Sequence, residues 1–126
     1  MWFIKGVIRI VKTYKELDVF KGGYELSLCI YKLTTSYPKH EIYGMTSQIR
    51  RATVSVSLNI AEGYGRKSKD EFKRFLRISL GSVNETETLL ELSRDLGYVE
   101  EAKCEKLIEQ YEILGKKIYR LIENWK

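Results

Sequence analysis

The sequence predicts an all-α protein, an antiparallel up-down-up-down four-helix bundle, and three observations support this fold class. Apolar residues recur at alternating spacings of three and four along four segments, which is the pattern of helices that bury one face. A helix-ending residue stands near the end of each of the first three segments, at Pro38, Gly63 and Gly97. No segment has the alternation typical of a strand. Because the connections are short, consecutive helices must pack antiparallel.

The first helix is predicted from Asp18 to Tyr37. Pro38 ends it, because the residue before a proline avoids the helical region of backbone space. The core face of this helix comprises Val19, Leu26, Ile30, Leu33 and Tyr37, and it is widened by Phe20, Tyr24 and Tyr31.

The second helix carries two stripes and is predicted to end near Glu62 and Gly63. The stripe that faces the core comprises Ile42, Met45, Ile49, Ala52, Val56 and Asn59. A second stripe on a different face comprises Ser47, Arg51, Val54, Leu58 and Ala61. A helix that is apolar on two sides must bury both. The second stripe therefore meets either another helix of the same bundle or another copy of the protein.

The third helix is predicted to begin just after Ser68 and to end at Gly97, and the fourth to run from Glu100 to Trp125. Ser68 and Glu71 have the spacing of a capping box, in which each side chain bonds the backbone N–H of the other residue. The core face of the third helix comprises Phe72, Leu76, Ser79, Val83, Thr86 and Leu90, widened by Phe75, Ile78, Leu89 and Leu92. The core face of the fourth comprises Leu107, Tyr111, Leu114, Ile118, Leu121 and Trp125.

The formal net charge of +5 is unevenly distributed along the chain. Residues 39–77 hold nine Lys or Arg against four Asp or Glu, whereas residues 85–112 hold three against nine. In the predicted bundle, the turn between the second and third helices lies at the same end as the start of the first and the end of the fourth. The basic residues of that end are Lys12, Lys15, Arg66, Lys67, Lys69, Lys73, Arg74, Arg77, Lys116, Lys117, Arg120 and Lys126.

The turn after the second helix and the first turns of the third form the candidate nucleic-acid-binding site. Cations there would bind phosphates, and a tyrosine could stack on a base. The residues assigned to the site are Tyr64, Arg66, Lys67, Lys69, Lys73, Arg74 and Arg77. The alternative is a solvated helix face whose phenylalanines, Phe72 and Phe75, lie in the core.

The candidate oligomer interface comprises Arg50, Arg51, Val54 and Leu58 on the second helix. Antiparallel pairing brings the two arginines close to the level of Glu85, which predicts an Arg–Glu ion pair, either within the chain or between subunits.

Two further polar residues, Asn59 and Glu62, stand one turn apart near the end of the second helix. Their side chains are expected to satisfy backbone groups around the turn that follows.

The sequence has few residues that could carry catalysis. His40 is the one histidine, which excludes a metal centre with several histidine ligands in one chain, and there is no P-loop, CxxC or GxSxG motif. We therefore expect no enzymatic activity, no catalytic residue, no metal and no cofactor. Cys29 and Cys104 are expected to be reduced, buried side chains in a cytoplasmic protein.

Residues 1–13 are interpreted as a poorly ordered extension that precedes a bundle domain of residues 14–126. The run MWFIKGVIRIVK could begin a signal peptide, but Lys5 and Arg9 interrupt it and no small-residue cleavage site follows. The run is too short to span a bilayer, although a peripheral membrane contact is an alternative.

Four stretches carry a family resemblance: YGMTSQIRRA (43–52), NIAEGYGR (59–66), FxxFLRIxxGS (72–82) and DLGY (95–98). Over residues 14–122 the chain resembles the bacterial family first noticed as reading frames within intervening sequences of 23S ribosomal RNA genes. The resemblance implies a left-handed four-helix bundle that assembles as a ring-like homopentamer and has no assigned enzymatic activity. The chain is also similar to the accessory proteins of diversity-generating retroelements, basic pentameric bundles that bind a reverse transcriptase and nucleic acid.

The leading hypothesis is a non-enzymatic, homo-oligomeric accessory protein, expected to be a pentamer, that binds RNA or DNA. A reverse transcriptase is a candidate partner. The rival hypothesis is a homo-oligomeric protein-interaction scaffold with no direct nucleic-acid role, whose basic end binds an acidic protein. Neither hypothesis includes a small-molecule substrate or a membrane partner.

Overall fold

The computed structural model describes residues 13–126, which form four α-helices and no strand. The helices are α1 (Asp18–Thr34), α2 (Met45–Gly65), α3 (Lys69–Asp95) and α4 (Glu101–Asn124). None of these four helices is both long and apolar enough to cross a bilayer. The signal-peptide and membrane-contact interpretations concern residues 1–12, which lie outside the described residues, as does Lys12 of the basic end.

Contacts between consecutive helices run in opposite residue order, as antiparallel packing requires. The Ser79 hydroxyl donates to the Val56 carbonyl at 2.8 Å, and nearer the start of α2 the Gln48 amide donates to Glu85 at 3.4 Å. The other seams follow the same order, with bonds from Ser27 to Thr53, from Arg50 to Thr34 and from Cys104 to Leu90. Because α1 also packs on α4, the predicted up-down-up-down bundle is confirmed.

The core consists largely of the predicted stripes. Ile30, Ile49, Leu76 and Ile118, one from each helix, have no exposed side-chain surface. The buried stripe residues are Val19, Leu26, Ile30, Leu33, Tyr37, Met45, Ile49, Ala52, Val56, Phe72, Leu76, Ser79, Val83, Thr86, Leu90, Leu107, Tyr111, Leu114 and Ile118. Local periodicity was sufficient to identify them, since each recurs on one side of a straight helix.

The residues at the edges of the predicted stripes are less buried than expected. Ile42 is 51% exposed, because it lies in the turn before α2 and not on the helix. Asn59 is half-buried, and so are Leu121 and Trp125. The other residues of the predicted stripes that are exposed are Tyr24, Tyr31, Ile78 and Leu92.

The two cysteines are both free thiols, but only Cys104 is buried. The predicted burial of Cys29 is wrong, because its side chain faces the open groove between α1 and α4 beside Gln110. Burial raises the pKa of the Cys104 thiol, which donates to the Leu90 carbonyl.

Two helix ends differ from the prediction. α1 ends at Thr34, before Tyr37, where the hydroxyls of Thr35 and Ser36 bond carbonyls of the last turn and so offer the backbone an alternative to further helix. α2 continues through Gly63 and ends at Gly65. A methyl group at Gly63 would lie 2.5 Å from the Phe75 Cβ atom, so this glycine permits close helix packing and does not end the helix.

The ends of α3 are stabilised largely as predicted. The Ser68 hydroxyl accepts from the Glu71 N–H at 3.3 Å, but the Glu71 carboxylate bonds Arg74, so the capping box is only half formed. At the other end, Gly97 has a φ of 83°, and the N–H of Tyr98 donates to the Ser93 carbonyl at 2.9 Å. This is the Schellman geometry that a glycine after the helix permits.

A small group of hydroxyls lies inside the core between α1, α2 and α4. The fully buried Tyr111 is hydrogen-bonded to the Thr53 hydroxyl, and the Ser27 hydroxyl bonds the Thr53 carbonyl at 3.3 Å. Burial raises the pKa of Tyr111 far above its usual range, despite the opposing effect of the Thr53 hydrogen bond. The phenol is therefore held neutral.

The close contact at Gly63 predicts different effects for two nearby alanine substitutions. Gly63→Ala should lower the free energy of unfolding by about 1–3 kcal/mol, because the added methyl group overpacks the α2–α3 contact. Gly65→Ala is the matched control: its methyl group would meet no atom of residues 13–126 within 4 Å, so stability should be unchanged or higher by up to about 1 kcal/mol. Equilibrium urea unfolding measures both. Equal losses of unfolding free energy at the two positions would contradict the assignment of Gly63 to close helix packing.

The buried phenol of Tyr111 predicts alkaline destabilisation. A tyrosine in the unfolded chain ionises near pH 10, whereas the raised pKa keeps Tyr111 protonated in the folded state. The stability contributed by the neutral phenol is therefore fully present below about pH 10 and is lost as the pH rises above it. Tyr111→Phe should reduce this loss, at a cost of about 1 kcal/mol at neutral pH from the missing hydrogen bond.

The measurement is the free energy of unfolding between pH 8 and pH 11.5. The control is Tyr43→Phe. Because Tyr43 is 94% exposed, this substitution should leave the pH dependence of the parent unchanged. Some loss should remain in Tyr111→Phe, since burial also raises the pKa of Tyr37. An unchanged pH dependence in Tyr111→Phe would show that another group causes the loss.

Candidate nucleic-acid interface

Three separate parts of the chain meet at the basic end, as predicted. Trp125, just after α4, packs edge-on against Phe72 of α3, with ring centroids 4.8 Å apart, and against Tyr64 of α2, at 6.3 Å. Tyr14, in the 3-10 turn before α1, lines a cleft together with these three aromatic residues. The contacts among Tyr64, Phe72 and Trp125 join the α2–α3 turn to the residues that follow α4.

The turn itself is three residues long and has an uncommon backbone conformation at Lys67. The Lys67 N–H donates to the Tyr64 carbonyl at 3.3 Å, and the residue has a φ of 56°. Within residues 13–126, Lys67 is the one residue other than glycine with a positive φ. A side chain in this region costs about 1–2 kcal/mol, so glycine would be the favoured residue if only the turn mattered.

The two arginines nearest the turn are already paired with carboxylates. The Arg66 Nε atom lies 2.9 Å from Glu62, and the Arg74 Nε atom lies 2.9 Å from Glu71. Both guanidinium groups lie over the Phe75 ring, at 5.1 and 4.5 Å from its centroid. The hydrogen bond from Arg74 also lowers the pKa of Glu71, so that carboxylate stays charged. Much of the positive charge of Arg66 and Arg74 is therefore neutralised locally.

The other four cations of the predicted site have no such partner. Lys67, Lys69 and Arg77 are exposed and Lys73 is half-buried, and none makes an ion pair with a carboxylate of residues 13–126. Lys69, Lys73 and Arg77 recur every four residues and so share one face of α3. This face continues the charge of the turn along the side of the helix.

Tyr64 is half-buried, and its ring forms an edge contact with Phe72 at 5.7 Å. Together with Tyr14, Phe72 and Trp125 it lines a cleft of about 630 Å³. Three lysines, Lys67, Lys69 and Lys126, also line this cleft. The structure thus places Tyr64 in a cleft wall and not on an open surface.

The candidate site predicted from the sequence did not include Tyr14, Trp125 or Lys126, although Lys126 was placed at the basic end. The heptad-like spacing of α4 placed Trp125 in the core, and no local pattern joined Tyr14 to residues near the opposite end of the chain. An aromatic residue close to each end of a predicted bundle would have been the available signal.

The outer stripe of α2 is not covered by any helix of the bundle. Leu58 is 62% exposed, Arg51 is exposed and Val54 is half-buried. Of the two alternatives for this stripe, burial within the same bundle is therefore wrong. The exposed apolar surface continues onto α1 through Tyr31, which lines the same groove as Val54 and Leu58.

The predicted ion pair of Arg50 or Arg51 with Glu85 is absent within residues 13–126. The Arg50 Nε atom donates to the Thr34 hydroxyl at 2.8 Å, and its guanidinium lies 4.6 Å from the Tyr31 ring centroid. Arg50 thus faces α1, on the opposite side of α2 from Glu85, which is reached instead by Gln48.

The predicted role of Asn59 and Glu62 is also corrected. The Asn59 amide donates to the Ser55 carbonyl at 2.8 Å and to its hydroxyl at 2.9 Å, one turn earlier in α2. Glu62 pairs with the Arg66 side chain and not with backbone groups of the turn.

Over residues 13–126, no three His, Cys, Asp or Glu side chains are placed to share a metal ion.

Comparison with known proteins places this architecture in a family. A family model described as "23S rRNA-intervening sequence protein" matches residues 15–120. Among solved structures, the chain is similar to a crystal structure from Bacteroides thetaiotaomicron VPI-5482, described as a protein with unknown function from the S23 ribosomal protein family. The two share 27% identity with a TM-score of 0.75, over 84% of this chain and 99% of that one. No curated protein matches the chain. Because the family match spans most of its length, the chain belongs to the 23S rRNA-intervening sequence protein family.

Proposed function

We propose that this chain is a non-enzymatic, homo-oligomeric accessory protein that binds RNA or DNA through the basic end of the bundle. The observation that carries the proposal is the set of four cations there, Lys67, Lys69, Lys73 and Arg77, that have no carboxylate partner in residues 13–126. Cations whose charge is not compensated attract phosphates, and this attraction does not depend on base sequence.

The arginines of the turn have a supporting role in this proposal. Glu62 and Glu71 hold Arg66 and Arg74 against Phe75, so these side chains stiffen the surface beside the lysines. Exposed ion pairs are weak and exchange readily with solvent. Arg66 and Arg74 could therefore turn to a phosphate once one is bound.

The exposed stripe of α2 supports self-association. Val54 and Leu58 form an apolar strip that continues to Tyr31, and an apolar surface of this kind is typical of a protein contact. Arg51 borders it and is the candidate partner for Glu85 of a second copy. The family resemblance implies a pentamer. An assembly of several basic ends would convert weak phosphate contacts into useful avidity if one nucleic acid reaches several subunits.

A reverse transcriptase is the candidate protein partner, as the similarity to retroelement accessory proteins implies. We expect the protein to act in the cytoplasm, where the exposed free thiol of Cys29 would stay reduced. The second candidate function is a homo-oligomeric scaffold whose basic end binds an acidic protein. The uncovered apolar face of α2 favours self-association in either case.

Self-association through α2 predicts that Val54→Asp with Leu58→Asp dissociates the oligomer. Two carboxylates on the apolar strip would have to be buried without partners, which costs far more than the contact provides. Light scattering at micromolar concentration should show the parent as an oligomer and the double variant as a monomer, with equal helicity by circular dichroism. The control pair, Ile42→Asp with Tyr43→Asp, changes two exposed apolar residues outside α2 and should keep the parent mass. A monomeric parent would refute self-association.

Nucleic-acid binding through α3 predicts that Lys69→Gln, Lys73→Gln and Arg77→Gln together weaken binding to RNA and DNA alike. If six or more phosphates are neutralised, the parent should lose roughly a thousandfold in affinity between 50 and 200 mM salt, and the variant should show a shallower dependence. Filter binding at several salt concentrations measures both effects.

The matched control removes three lysines from the opposite end of the bundle, in Lys39→Gln, Lys103→Gln and Lys106→Gln. All three are exposed, so net charge falls equally while the basic end is intact. If the α3 variant binds like the parent, or no more weakly than this control, the basic end is a solvated surface and the scaffold function replaces the proposed one.

A further inference from the structure

We propose that the aromatic cleft of the basic end is a nucleotide-binding site that takes a phosphate together with a planar base. The inference rests on the proposed function and deepens it, because it gives the basic end a defined pocket in addition to a charged surface. The cleft lies between the turn before α1, the α2–α3 turn and the end of α4. Its volume of about 630 Å³ is within the usual range for small-ligand sites.

The charge of the cleft points to an anion. Lys67, Lys69 and Lys126 line it, and no Asp or Glu side chain of residues 13–126 does. Of the acidic residues next to the α2–α3 turn, Glu62 and Glu71 pair with the arginines over Phe75, and neither they nor Asp70 lines the cleft. Three lysines without a counter-charge around one opening favour a ligand that carries a phosphate.

The walls of the cleft point to a planar group beside that phosphate. Tyr14, Tyr64 and Trp125 are half-buried and contribute aromatic surface, and the buried Phe72 ring holds Tyr64 and Trp125 by edge contacts. Aromatic walls next to cations are the usual combination in proteins that bind nucleotides by stacking, and stacking tolerates any base. A sugar phosphate or inorganic phosphate would leave these walls unused.

The backbone of Lys67 is consistent with this role. Its positive φ would be accommodated more easily by glycine, yet the position carries a lysine at the rim of the cleft. The side chain is therefore kept at a conformational cost, which a charged contact with a ligand would explain.

Two sources could supply such a nucleotide: an unpaired nucleotide of a nucleic-acid strand, or a free mononucleotide. The experiment uses the full chain with Trp2→Phe, which leaves Trp125 as the one tryptophan and as a reporter within the cleft. Its fluorescence is titrated with AMP, ribose 5-phosphate, inorganic phosphate, a single-stranded oligoadenylate and a blunt duplex of equal length.

We expect Trp125 fluorescence to change with AMP and with the oligoadenylate, and to change little with ribose 5-phosphate, inorganic phosphate or the duplex. Tighter binding of the oligoadenylate than of AMP identifies a strand as the source, and equal affinities identify the free nucleotide. A response to inorganic phosphate or ribose 5-phosphate as strong as that to AMP would overturn base recognition. No response to any nucleotide or strand would overturn the site.

Two variants separate the site from general charge. Lys67→Gln with Lys126→Gln should weaken the AMP and oligoadenylate responses by about tenfold, the loss expected when two phosphate contacts are removed. Lys39→Gln with Lys106→Gln removes the same charge from exposed positions outside the cleft and at the opposite end of the bundle, and it should match the parent. Lys67→Gly should weaken binding while leaving the melting temperature at or above the parent value. Equal effects of the two double variants would overturn the assignment.

Failure of this site is distinguishable from failure of the proposed function. If the parent retains RNA or DNA on a filter but Trp125 does not respond, the nucleotide site in the cleft is refuted. Nucleic-acid binding by the charged surface of α3 then remains supported. If Trp125 responds to AMP but the parent retains no polynucleotide, the nucleotide site in the cleft is supported and the proposed nucleic-acid binding is refuted.

Discussion

The structure depends on the close approach of α2 and α3. Gly63 leaves the space that the Phe75 side chain occupies, and Ser79 bonds the Val56 carbonyl across the same seam. Further along, the hydroxyls of Ser55 and Ser82 bond each other at 2.8 Å. Small residues let the two backbones approach, and their hydroxyls find partners in the opposite helix, so no buried donor is left unsatisfied at these points. The two helices form a closely packed hairpin on which α1 and α4 pack.

This hairpin determines which surfaces remain for other molecules. One side of α2 is used by α3, a second by the core and a third by α1, where Arg50 bonds Thr34 and lies over Tyr31. Within residues 13–126, the outer side with Val54 and Leu58 is left without a covering helix. The same packing aligns Gln48 with Glu85, which is exposed on α3.

The packing of this hairpin also separates the paired arginines of the basic end from its unpaired lysines. Because Phe75 packs beside Gly63, its ring face holds Arg66 and Arg74, and the Glu71 carboxylate lies within ion-pair distance of both. The lysines lie on the other side of the turn, towards the aromatic contact with Trp125. One end of the molecule thus has a compensated arginine side and an uncompensated lysine side. A count of charges along the chain cannot distinguish the two sides, because pairing depends on side-chain direction.

The sequence by itself determined the class of fold, the four helices and most of the core. Each of these follows from local rules: apolar spacing identified Leu76 and Ile118 as buried, and Ser68 and Gly97 marked the ends of α3. The family was also recognisable from short motifs, since residues 15–120 match its model.

The tertiary structure decided what local rules do not contain. Gly63 has the sequence signature of a helix end, and only the presence of Phe75 on a second helix explains why a glycine stands inside α2. Arg50 bonds α1 and not Glu85, because the rotation of α2 about its axis is set by packing on both neighbours at once. Tyr14 and Trp125 share one cleft although they lie at opposite ends of the described chain. Contacts between distant residues depend on how whole helices are placed against one another, whereas periodicity within one helix shows only which of its faces is buried.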